Sequence, residues 1–175
     1  MAQSFAAAPL AFALRDSRSD PSAVGTYEED GFVVRTADNV AQYCSMRLGE
    51  MLTRAGARLN EPPTAVLEAE LLEYNVVESG MFHGVVRLRA VVHGGAGRSW
   101  SRTFVGKSAR WGRTHNPENF NEALSNALAD AASQLMQDDD FARALVGEPA
   151  DDPSASRPPS LQAPAAPPPP RSPGA

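Results

Sequence analysis

Few residues in this chain carry reactive chemistry. The histidines are His83, His93 and His115. His83 and His93 begin and end one strand pattern, so an extended chain holds them roughly 30 Å apart. That separation rules out a shared metal. His115 stands just before a helix-start pattern with no convergent partner. The single cysteine, Cys44, excludes an internal disulfide and a Cys-rich zinc site. It lies on an apolar stripe and reads as a buried, inert thiol, since a nucleophile needs exposure and a nearby base. Asp16 and Asp20 flank Arg18. Paired carboxylates can bind a metal or do acid–base work. Asp, Ser and Pro also build turns, and the turn reading is preferred. Asp138 to Asp140 reads as a solvated helix end, because no EF-hand spacing follows. There is no P-loop, no G-x-S-x-G and no G-x-G-x-x-G. The sequence therefore assigns no catalytic residue, no cofactor and no metal ligand.

The stretch RSWSRTFVGKSARWGR, residues 98–113, has a different chemistry. Arg98, Arg102, Lys107, Arg110 and Arg113 alternate with Trp100, Phe104 and Trp111, and no acid interrupts them. Such a mixture can stack and neutralise single-stranded nucleic acid, or anchor a protein partner. Its plainer reading is an edge strand guarded by charge. A net charge of −5 for the whole chain argues against generic polyanion binding.

The elements that would position these residues follow from hydrophobic spacing. Leu10 to Leu14 alternates bulky and small residues, as a half-buried strand does. A polar loop, RDSRSDPSAVG, follows it. Phe32 to Val34 reads as a short strand. Ala37 to Ala55 reads as an amphipathic helix through Val40, Tyr43, Cys44, Leu48, Met51, Leu52 and Ala55, with Gly56 as its C-terminal glycine. Three strands come next, over 65–77, 82–92 and 98–106. Asn116 and Pro117 read as an N-cap and first residue of a last helix. It runs through Phe120, Leu124, Leu128, Ala131 and Leu135, and is interrupted near Asp138 to Asp140.

Four-residue loops at 78–81 and 94–97 place Leu71 opposite Leu88 and Ala69 opposite Ala90. Glu70 then faces Arg89 across the other face, a favourable pair. The same register puts Trp100, Arg102 and Phe104 on that charged face with Glu68, Glu70, Arg87 and Arg89. These seven residues form the candidate partner-binding face. The expected fold is α+β, a two-layer sandwich with a mainly antiparallel sheet and two helices on one face.

Composition bounds the rest. The 175 residues suit one domain, over 10–146, between a short N-terminal segment, 1–9, and a tail, 147–175. The tail holds ten of the 15 prolines and one leucine. It is expected to be disordered, with polyproline II around Pro167 to Pro170. Alanine accounts for 29 residues, and arginine outnumbers lysine 15 to 1. That bias matches GC-rich codons, so the alanine total is discounted as evidence about the core. No apolar run approaches the ~20 residues of a spanning helix. MAQSFAAAP does not read as an intact signal peptide. That leaves a cytoplasmic protein or a mature form.

Several motifs together resemble the YajG-like family of bacterial envelope lipoproteins. Asp16, Arg18, Asp20, Ser22, Val24 and Gly25 match a D-x-R-x-D-x-S-x-[VI]-G loop after the first strand. LTRAGARL matches a helix end, and Arg102 with Thr103 matches a pair in the third meander strand. NFNEALSNALADAASQLMQDDDF matches the closing helix. The likeness covers about Leu10 to Leu145. It implies a non-enzymatic domain, anchored at the outer membrane and facing the periplasm, with an envelope protein or component as partner. Cys44 lies inside a helix and is not the acylated cysteine. Met1 would stand where a processed chain carries its lipidated residue. The alternative reading is a cytoplasmic adaptor or nucleic-acid-binding module using residues 98–113.

Overall fold

A computed structural model describes residues 9–59, 61–94, 99–112 and 116–146. The order is β1 (Leu10–Asp16), β2 (Ala23–Tyr27), β3 (Val33–Arg35), α1 (Val40–Arg54), β4 (Ala65–Glu78), β5 (Phe82–His93), β6 (Ser99–Arg110), α2 (Pro117–Met136) and α3 (Asp139–Val146). The sheet has six strands, with three helices on one face. This is the expected α+β layering, with one helix more than expected. The tail and segment 1–8 lie outside the described residues, as do Arg98, Arg113 and His115.

The sheet runs β3-β2-β4-β5-β6, and β1 also pairs with β4. The long strand β4 is the axis of the fold. Its other edge receives β1 along Ala65 to Leu71 and β2 along Val76 to Glu78, both in parallel. The meander β4-β5-β6 is antiparallel. Alternation sends Leu67, Ala69, Leu71, Val86, Leu88, Ala90 and Val92 to the covered side, where all are buried.

Helix α1 starts at the N-cap Asn39, whose side chain accepts from the Gln42 amide. It ends at Gly56, whose φ of 102° suits glycine. The Gly56 amide donates to the Thr53 carbonyl and the Ala57 amide to the Leu52 carbonyl. That pair of bonds is a Schellman close. Helix α2 has the predicted Asn116 cap and Pro117 start. Asp138 both ends the α2 turn and caps α3, accepting from the Phe141 amide at 2.9 Å.

The alanines of α2 are structural. Ala123, Ala127, Ala131 and Ala132 are all fully buried. They let the helix backbone approach glycines of the sheet. A methyl group at Gly106 would collide with the Ala127 carbonyl, and one at Gly84 would lie 2.7 Å from the Ala123 carbonyl oxygen. The genomic discount on alanine does not apply to this helix.

Two turns decide the faces. The β4–β5 turn is one residue shorter than expected, because Glu78 faces Phe82. A bulge between Leu71 and Glu73 absorbs that residue. Leu71 therefore still faces Leu88, Ala69 faces Ala90 and Glu70 faces Arg89. The β5–β6 connection is one residue longer than expected, because His93 faces Ser99. No bulge compensates there, and a one-residue slip exchanges the faces. Trp100, Arg102 and Phe104 stand opposite Val92, Ala90 and Leu88, on the helix-covered side. Their assignment to the charged face is corrected accordingly.

Candidate functional site

The loop between β1 and β2 spans a break in the sheet edge. Between Leu71 and Val76, β4 has no strand beside it on this side. The Ser17 amide donates to the Leu71 carbonyl at 2.9 Å. Arg18 supplies the rest. Its guanidinium donates to the carbonyls of Pro21 (2.6 Å), Ala23 (2.8 Å) and Tyr74 (3.4 Å). It also holds the Asp16 carboxylate through Nε at 2.9 Å and Nη2 at 2.7 Å. The side chains of Arg18 and Asp16 are only 7% and 12% exposed. Burial pushes the Asp16 carboxyl up, but the hydrogen bonds and charge of Arg18 outweigh it, and the group ends below its usual value.

Asp20 closes the same loop. Its carboxylate accepts from the Ser22 hydroxyl (2.7 Å), the Ser22 amide (3.1 Å) and the Ala23 amide (3.3 Å), and pairs with Arg35. Ser22 and Arg35 together bring it down to about 2. Beyond it, Gly25 leaves room for the Phe120 ring, which packs edge-on to Tyr27 and Phe82 at 5.4 and 5.2 Å. The motif Asp16, Arg18, Asp20, Ser22 and Gly25 thus builds the fold. The turn reading of these carboxylates agrees with this geometry. Strand β2 inside this segment was not expected, because its five residues follow a run of turn formers without a break.

The open face keeps Glu68, Glu70, Arg87 and Arg89. Glu70 pairs with Arg15, and Arg87 Nε lies 3.1 Å from Glu73. Arg89 donates to the Ser101 hydroxyl at 3.3 Å. His93 lies 3.7 Å from Glu68. The face is a mixed-sign lattice of short pairs, open to water. Among the described residues, no group of three His, Cys, Asp or Glu could hold a metal ion.

The basic and aromatic stretch divides between the two faces. Phe104 is 5% exposed in the core. Trp100 packs on Phe141 at 5.6 Å, and Arg102 pairs with Asp138, which ties β6 to α3. Arg110 pairs with Glu122 of α2. Two of the five expected cations, Arg102 and Arg110, are therefore answered within the fold. Trp111 alone among these aromatics is exposed, at 75%.

A cleft of about 300 Å³ opens between the helices. Val24, Val40, Tyr43, Tyr74 and Leu124 give it apolar walls, and Thr36, Asp38, Asn121 and Ser125 give it polar groups. Tyr43 Oη and Ser125 Oγ lie 2.9 Å apart and brace α1 against α2. The guanidinium of Arg18 stands 5.6 Å from the centre of the Tyr74 ring. Burial pushes the Tyr74 phenol well above its usual value. Cys44 is fully buried, and burial pushes its thiol up to about 12. Sequence reasoning missed this cleft, because its walls come from five separate segments.

Neither a family model nor a curated protein matches the sequence. Solved structures do. The chain is similar to a DUF330-family protein from Xanthomonas campestris, with TM-score 0.56 and 14% identity over 74% of this chain and 82% of that one. It is similar to an uncharacterized protein, with TM-score 0.54 and 12% identity over 73% of this chain and 90% of that one. A candidate lipoprotein from Caulobacter crescentus aligns with TM-score 0.49 and 14% identity, over 73% and 95%. At these identities the likeness is one of fold.

Proposed function

We propose that this chain is a non-enzymatic domain of a YajG-like envelope lipoprotein, serving as an accessory binding or scaffold protein on the periplasmic side of the outer membrane. The observation that carries the reading is the Asp16–Arg18–Asp20 loop. The motif residues on which the sequence resemblance rests also bridge the β1–β2 break through Arg18. A motif with that structural job belongs to the fold rather than to a reaction. The shared fold with the DUF330 protein supports the same reading.

The surface offered to a partner is the open sheet face around Glu68, Glu70, Arg87 and Arg89. Its paired charges suit a polar, mixed-sign protein surface better than a polyanion. The test is fractionation of cells expressing the complete gene, with lipid labelling and mass spectrometry of the mature N-terminus. An acylated N-terminal cysteine in the outer-membrane fraction is the expected result. A soluble cytoplasmic protein starting at Met1 would overturn the proposal.

A further inference from the structure

The open face of the sheet divides by sign along its strands. Facing away from the helices, β4 carries Glu68, Glu70 and Glu73, and β5 carries Arg87 and Arg89. Backbone pairing sets Glu70 opposite Arg89 and Glu73 opposite Arg87, so an acidic column runs beside a basic one. Pairing within the sheet does not use up these charges. Glu73 is paired with Arg87, but Glu70 turns to Arg15. Arg89 has no carboxylate partner among the described residues and donates to the Ser101 hydroxyl. Val66, Val85, Val91 and Val105 stand half-buried among the charges, on a face that no helix covers.

The face is four columns wide, because β1 and β2 share one edge of β4. In order the columns are β1 with β2, then β4, β5 and β6, with β3 outside them. The seam between β4 and β5 is the midline. A second copy can be laid face to face with the first about a two-fold axis along that seam. The axis exchanges β4 with β5 and keeps each position along the strand. Glu70 then stands over Arg89 of the second copy, and Glu73 over Arg87 of the second copy. The reverse pairs form as well, since a two-fold interface uses the same patch twice. Aligned sheets pack within about 30° of each other, so the rows near the axis stay matched. Lys107 of β6 meets the gap between β1 and β2, where Arg18 is turned into the fold at 7% exposure.

Other placements fail on charge. An axis along β5 stacks arginine on arginine, and one along β4 stacks glutamate on glutamate. An axis across the strands sets Glu70 over Glu73 and Arg89 over Arg87. Size is adequate. Four columns about 4.8 Å apart, over the length from Val66 to Val77, give roughly 700 Å² per copy. A stable interface needs about 800 Å² per partner, and β3 adds to the total.

We propose that two copies of this chain associate through their open sheet faces, with the β4 glutamates of each against the β5 arginines of the other. This rests on the reading of that face as the partner-binding surface, and names a second copy as the partner. The valines supply apolar contact, and the charge columns fix the register.

The test is the mass of the full-length chain by sedimentation equilibrium. Two double variants are compared with the parent. One carries Glu70→Arg and Glu73→Arg, so both columns are basic. The other carries Arg87→Glu and Arg89→Glu, so both are acidic. The parent is expected to dimerise in the roughly micromolar range or below, and more weakly as salt is added. Each variant alone should associate about 100-fold more weakly, since like charges then meet. Mixing the two in equal amounts should restore a dimer, which also shows that both are folded. A parent that stays monomeric at about 100 μM overturns the second-copy assignment and leaves the lipid-labelling result standing. A dimer that survives in both variants uses another surface, and overturns the reading of the open face as well. Variants that are monomeric alone and remain so when mixed overturn the column-on-column arrangement.

Discussion

Arg18 lies over the ring of Tyr74 and also donates to the Tyr74 carbonyl, so one side chain both closes the gap between β1 and β2 and supports the floor of the cleft. The gap exists because two strands share one edge of β4. Without Arg18, the carbonyls of Pro21, Ala23 and Tyr74 would lose a common donor. Arg18→Ala also strands the Asp16 carboxylate in a mostly buried position. Removing one member of such a pair costs about 3–5 kcal/mol. Equilibrium unfolding in urea should show a loss of that size. Arg18→Lys should recover only part of it, because an ammonium cannot serve Asp16 bidentately and reach several carbonyls. A loss below ~1 kcal/mol for Arg18→Ala would contradict this account.

Acid should weaken the same loop. Asp16 and Asp20 both titrate below their unfolded value of 3.8 in the folded chain, Asp20 at about 2. A carboxyl with a depressed folded pKa binds its proton more readily when unfolded. Its contribution is complete above about pH 4 and is lost as pH falls toward the folded values. The urea midpoint should therefore drop steeply between about pH 4 and pH 2. In the Asp16→Asn, Asp20→Asn double variant the drop should be shallower. Identical slopes would show that the loop charges do not contribute.

The legible part of the fold was the part written in alternation. Val86, Leu88, Ala90 and Val92 against Arg87 and Arg89 fixed which side of β5 is wet. The register with β4 followed, although the turn was misjudged by one residue, because the bulge beyond Leu71 cancelled the error. For β6 nothing cancelled it. In the segment Ser99 to Phe104 one side carries Trp100, Arg102 and Phe104, so a charge interrupts its apolar pattern, and Arg102 is accommodated there because it reaches Asp138 at the helix edge. Glu68, Glu70, Arg87 and Arg89 were placed correctly, and Trp100, Arg102 and Phe104 were not. The roles of Arg18 and of the cleft depend on contacts between segments far apart in sequence. Periodicity carries no information about those.

Close packing of α2 on the sheet gives a third expectation. Gly106→Ala forces a methyl into the Ala127 carbonyl and the Ala131 backbone. Backbone cannot rotate away as a side chain can, so α2 must lift. Overpacking of this kind costs about 1–3 kcal/mol or more. Ala109→Val, in the same strand at an exposed position, should change stability by no more than about 0.5 kcal/mol. Thermal unfolding of the two variants side by side makes the comparison, and equal effects would remove the close-approach argument.

Cys44 offers a probe of opening. Its thiol is fully buried and titrates at about 12. The thiolate is the reactive form, so a thiol reagent at pH 8 should label the native protein only through unfolding. Labelling should quicken in proportion to the unfolded population as urea is added. Rapid labelling without denaturant would mean that α1 opens locally, away from β1.

The β6 edge is shielded by side chains of α2. Asp130 accepts from the Lys107 amide at 2.9 Å and from Gln134 at 3.0 Å, and Gln134 donates to the Val105 carbonyl at 3.0 Å. These bonds occupy backbone groups that a further strand would otherwise use. An edge with free amides and carbonyls templates association with another chain. The Asp130→Ala, Gln134→Ala double variant should lose only about 1–2 kcal/mol of stability. Its main effect should be concentration-dependent self-association, seen by light scattering under conditions where the parent chain keeps a constant mass. Arg102→Ala, in the same strand but outside this clamp, should not associate. If it does, the association comes from general loosening of β6 and not from the exposed edge.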